Sequence, residues 1–184
     1  MKYIINNITS TQIEVKKSKF LSFLVPIEQF NKMHQKLKKE HPKANHIVWA
    51  KRELNEFKQI VENSSDDGEP KGGAGVPTLN VLRGNELINC GILTVRYFGG
   101  IKLGVGGMAR AYSEAANKVV KKAEILPYIE LLNLTIEANY NEQRQIEYTL
   151  KELGIEHIKR EFLNNKVLYH LKTTKENMNK LKSK

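Results

Sequence analysis

The sequence lacks most of what the common chemical routes require. Cys90 is its only cysteine, so no internal disulfide can form, and no Cys/His spacing offers a zinc site. No apolar run approaches the roughly 18–20 residues that span a bilayer. The opening MKYIINNITSTQIEV has neither the continuous apolar centre nor the small-residue cleavage site of a secretory signal. These absences predict a soluble cytoplasmic chain with no membrane contact. The phosphate-binding pattern G-x-x-x-x-G-K-[ST] is missing. The run GVGGMA at 104–109 spells a dinucleotide fingerprint. It starts seven positions after Tyr97, the last residue of the preceding strand, where that fingerprint needs a tight turn directly after the strand. No cofactor is expected.

A 40% apolar content is enough for a core, and 184 residues make one ordinary domain or a medium domain plus a small one. The formal charge of +10 is uneven: residues 1–127 hold 20 basic and 12 acidic side chains, residues 128–184 hold 10 and 8. Such a balance draws polyanions through long-range field and counterion release, although it also serves solubility.

Periodicity gives a mixed chain. Residues 11–25 alternate as two short strands around KKSK at 16–19. Ile27, Phe30, Met33 and Leu37 form one helical stripe that His41-Pro42 ends. Strands follow over 45–51 and 56–62. A short helix runs from the glycines at 72–75 to Gly84. The strand over 87–97 is the most apolar, and a helix runs from about Gly106 to Glu124. Pro127 marks a boundary. Beyond it a strand over 129–138, a helix over 141–153, a hairpin of 155–162 with 167–173, and a helix over 175–182 capped by Thr174 spell β-α-β-β-α. That is one strand short of the split βαβ plait. The expected fold is α+β in two domains, 1–126 and 127–184, the second ferredoxin-like.

The twelve glycines concentrate between positions 65 and 112, beside Lys71, Arg96, Lys102 and Arg110. Amide groups at a helix N-terminus lack intrahelical partners and attract anions. Two such ends are expected here, one after Gly72, Gly73 and Gly75, the other after Gly99 and Gly100 with Gly104, Gly106 and Gly107. Together with the four cations these glycines form a candidate anion or nucleic-acid site; the competing reading is tight loops with solvated lysines. Asp66, Asp67 and Glu69 could pair with Arg96 or Lys102, cap a helix, or ligate a metal through oxygen. No catalytic residue is assigned. Ser113 has no sequence-local base, Cys90 reads as a buried small hydrophobe, and His46 as structural. The K-x-K-K run at 36–39 reads as the wet face of a helix as readily as a phosphate contact.

At these residues the chain resembles the YigZ/IMPACT family, on DDGEPKGGAGVP at 66–77, RYFGG at 96–100, IKLGVGG at 101–107 and RAY at 110–112. It departs from the family pattern at Gly73 and Val105, where threonines are usual, at Met108-Ala109, and at Val48 in place of a frequent cysteine. The resemblance implies a first domain of βαβ type with helices on one sheet face, like the second domain of a small-subunit ribosomal protein. It implies a second domain similar to one of elongation factor G, with a final strand beyond the plait elements seen here. It also implies a role near translation, since eukaryotic relatives restrain the amino-acid-starvation kinase by binding its activator. They do so with a further N-terminal domain not found in these residues, so that partner is not carried across. For bacterial members the resemblance suggests nucleic-acid binding or peptidase activity. The expected function is a non-enzymatic factor binding RNA or the ribosome in translation regulation or stress response. The alternatives are a metal-dependent hydrolase of phosphate or peptide, and a protein-interaction module in stress control.

Overall fold

A computed structural model describes residues 1–183. It divides into two compact units, Met1–Tyr128 and a second from Ile129 onward.

The first unit opens with β1 (Tyr3–Ile4), then a hairpin of β2 (Thr9–Val15) and β3 (Ser18–Pro26). Its turn is Lys16-Lys17, at φ of 45° and 66°, the doubly left-handed bend that matches strand twist. Next come α1 (Ile27–Glu40), β4 (His46–Leu54), β5 (Ile60–Ser65), α2 (Gly75–Gly84), β6 (Cys90–Tyr97), α3 (Val105–Lys122) and β7 (Leu126–Pro127), which pairs with β1. The five-stranded sheet has the order β2-β3-β6-β4-β5, with every neighbour antiparallel. β3 and β4 are therefore parallel to each other with β6 between them, a split βαβ unit carried by α1.

β6 sits at the centre because it carries apolar side chains on both faces. Leu93 and Val95 meet Phe30 and Leu37 of α1, while Cys90 and Ile92 meet α2 and α3. Helices therefore cover both faces of the sheet, not one as the resemblance implied. Two strand starts in this unit differ from the sequence pattern by three or more positions. β6 begins at Cys90 rather than 87 because Asn89 takes φ 52° and spends its side chain on the Leu54 amide. β5 begins at Ile60 because the Asn55 side chain holds Phe57 and Gln59 in a turn, with Lys58 at φ 62°.

The second unit contains β8 (Leu132–Asn139), α4 (Gln143–Glu152), β9 (His157–Phe162), β10 (Lys166–Thr173) and α5 (Lys175–Lys182), with sheet order β8-β10-β9. β8 and β9 are parallel around β10, the same split arrangement, and the topology is ferredoxin-like. The Thr174 side chain caps α5 by accepting from the Asn177 amide.

Candidate anion-binding site

The two glycine-rich bends adjoin, but they are built differently. A methyl group added at Gly73 would lie 2.4 Å from Met108 Cε of α3, so the bend before α2 packs against the start of α3. That bend already holds a negative group. The Asp66 carboxylate accepts from the amides of Gly72 at 2.8 Å, Ala74 at 3.2 Å and Gly75 at 2.8 Å, while Gly73 donates to the Pro70 carbonyl at 2.9 Å. Burial alone would raise the Asp66 carboxyl, but the three amides outweigh it and hold it below the ordinary carboxylate range. The amides expected to hold an external anion at Gly72, Gly73 and Gly75 are therefore occupied from within. Gly99 is committed as well. Its amide donates to Ser18 Oγ at 3.2 Å, and a Cβ there would stand 2.1 Å from the Lys17 backbone, so only glycine fits.

The end of α3 is open by contrast. Its cap residue, Gly104, takes φ 73° and ψ 164°, a region essentially restricted to glycine. Among the described residues no side chain caps this helix, and no acid lies in its first turn, which holds Gly106 and Gly107. Here the macrodipole and the first amides are uncompensated. Lys102 is exposed just before it. This helix end borders a cavity of about 420 Å³, whose wall includes His46, Glu69, Arg96, Phe98, Lys102 and Val105.

The wall is a hydrogen-bonded cluster on one oxygen. Glu69 Oε1 accepts from Arg96 at 2.5 Å and from the Tyr112 hydroxyl at 2.7 Å, and His46 Nε2 lies 3.6 Å away. The His46 ring is oriented by its other nitrogen, whose N–H donates to the Asp67 carbonyl at 2.8 Å. Burial, then the hydrogen bond to Glu69 and its charge, push the Tyr112 phenol well above its ordinary value, so it remains a donor. Arg96 lies between the Phe20 and Phe98 rings at 5.5 and 5.8 Å, and its buried Nε has no partner among the described residues.

The predicted cations thus separate. Arg96 is buried and paired, not a free phosphate contact. Arg110 lies over Gly106 and lines a different groove between α2 and α3. Lys71 and Lys102 remain exposed, as does Gly100. The acidic triplet is not gathered on one point: Asp66 caps α2, the Asp67 carboxylate accepts from the Ile47 amide at 2.7 Å, and Glu69 pairs with Arg96. Among the described residues no three His, Cys, Asp or Glu side chains are grouped to hold a metal ion. Burial pushes the Cys90 thiol up to about 12, which leaves it unreactive. Of the wall residues named above, His46, Phe98 and Val105 were not assigned to the site by sequence reasoning, nor was Tyr112, which is buried behind the wall on Glu69. The cross-strand pairing of His46 with Arg96 is what brings His46 to the wall.

Comparison with known proteins agrees with this architecture. The family model described as the Impact N-terminal domain matches residues 16–120. An IMPACT family member of Haemophilus influenzae is 33% identical over 155 residues, covering 83% of this chain and 75% of its own. The IMPACT family member YigZ of Escherichia coli is 32% identical over 142 residues, covering 74% and 69%. A solved structure of a hypothetical protein superposes with a TM-score of 0.68 at 27% identity, over 99% of this chain and 91% of its own. Yih1, a two-domain translational regulator, aligns with 65% of this chain and 48% of its own at 25% identity and a TM-score of 0.43, a likeness too partial to transfer a function. The chain belongs to the IMPACT family.

Proposed function

We propose that this protein is a non-enzymatic cytoplasmic factor that binds RNA or the ribosome in translation regulation, and that it holds backbone phosphate at the N-terminus of α3. One observation carries the reading: of two adjoining helix ends rich in glycine, one is filled by Asp66, while the other has no cap and no acid and opens on a cavity beside Lys102. The half-exposed Phe98 ring on the same wall offers a stacking surface for a base, and the overall charge of +10 favours a polyanion. The test is fluorescence anisotropy with a 20-nucleotide single-stranded RNA across a salt series. Lys102→Gln is expected to lower the salt-dependence slope by about 0.7, the value for one lost phosphate contact. No binding at low salt, or an unchanged slope, would reject the reading.

A second reading has its own support. Phe98, Ile101 and Val105 are exposed around Lys102, and an apolar rim with a central cation suits a protein partner in translation control. Capture of the same partner before and after nuclease treatment would favour it over RNA. The hydrolase alternative draws no support from the site, because Asp66, Asp67 and Glu69 each serve a different structural partner.

A further inference from the structure

We infer that the open face of the three-stranded sheet in the second unit is a separate nucleic-acid contact, one that grips backbone phosphate through Lys159 and Lys172. Within this unit the helices cover one face of the sheet only. Leu134, Ile136 and Ala138 of β8, Ile158 of β9, and Val167, Tyr169 and Leu171 of β10 pack with α4 and α5. Strand alternation turns the intervening residues to the other face. The register sets them in rows: Asn133, Lys172 and His157 in the first, then Thr135, His170 and Lys159. These six line a shallow cavity of about 470 Å³.

The charges on this face are sorted. Neither row contains an acid. The next row has Glu137 and Glu161, and both are engaged: Glu137 with Lys166 at 2.8 Å and Glu161 with His170 Nε2 at 3.0 Å. The other ring nitrogen of His170 meets Thr135 Oγ1 at 3.1 Å, so this histidine is held by Thr135 of its own row and Glu161 of the next. Lys159 and Lys172 make no ion pair among the described residues. As diagonal cross-strand neighbours their α-carbons stand about 7–8 Å apart. Two free ammonium groups at that spacing, flanked by Asn133, Thr135 and His157 as hydrogen-bonding partners, complement a run of phosphates. A protein surface with its own mixed charges would not use them so well.

The test uses the full chain and the same 20-nucleotide RNA. Lys159→Gln with Lys172→Gln, both at exposed positions, is expected to lower the salt slope by about 1.4, two contacts at about 0.7 each. An unchanged slope and affinity overturns the inference, and so does a variant that loses affinity only for vesicles of anionic lipid. The α3 site fails independently. If Lys102→Gln changes nothing while the double variant loses slope, the present inference stands and the α3 reading falls; the reverse outcome keeps α3 and rejects the sheet face.

Discussion

Asp66 satisfies three amides with one carboxylate, and its removal exposes all three at once. Asp66→Ala is expected to cost about 1–2 kcal/mol, the upper range for a lost helix cap. Trp49, the only tryptophan, lies in β4 of the first unit, so its fluorescence in a urea titration follows that unit. The pH dependence has a definite sign. The folded carboxyl is held below its unfolded value of about 3.9. Its contribution is therefore complete above that value and is lost as pH falls through the folded one. The gap between wild type and Asp66→Ala should be constant above about pH 5 and close in more acid solution; a gap that widens there would show that Asp66 is not the anion filling α2. Glu69→Gln tests a different cost. It leaves the Arg96 guanidinium buried without its counter-charge, and breaking such a pair from one side costs about 3–5 kcal/mol. Loss of less than 1 kcal/mol in the same assay would mean that Arg96 finds water or another acceptor.

Elements of the fold differ in how far local sequence determines them. The stripe of α1, the proline that ends it, the Thr174 cap and the β-α-β-β-α order of the second unit follow from spacing alone, because each signal lies within one turn or one strand of its effect. The start of β6 does not, since Asn89 is committed by a bond to Leu54, 35 positions away. The same distinction divides the candidate site. Glycine density marks both bends, and capping or pairing with Arg96 were among the roles open to the acids. Nothing local assigns Asp66 to the amides of α2 and Glu69 to the guanidinium of Arg96, which stands 27 positions later. Met108 reaches the space beside Gly73, so the two positions touch although they are far apart in sequence. The open end of α3 yields a prediction in which stability and binding move apart. Val105, the first residue of α3, is exposed, and Val105→Asp places an acid where the helix has none. The macrodipole should gain about 0.3–1 kcal/mol from it, while RNA affinity falls because the same field now meets a resident carboxylate. A variant both more stable and equally able to bind RNA would remove phosphate from the α3 end.

At the scale of the whole molecule, the two proposed contacts lie on consecutive units of one chain, so engaging the second after the first is an intramolecular event. Short flexible connections give effective concentrations in the millimolar range, and avidity then exceeds either single affinity by about 10²–10⁴ provided one ligand reaches both sites. The dependence on RNA length distinguishes this from two unrelated patches. A short oligomer that fills one site should bind with single-site affinity and lose only that site's slope on mutation. Above a threshold length, affinity should rise by at least about 100-fold over a few added nucleotides. Lys102→Gln and the Lys159→Gln, Lys172→Gln pair should then each bring the long RNA back toward the short-oligomer value. A smooth rise that merely tracks the number of overlapping registers, the same in wild type and both variants, would show that the units do not act on one strand. Titration of a length series at fixed salt decides between these outcomes, because salt changes every phosphate contact at once, whereas length changes only how many sites one strand can reach.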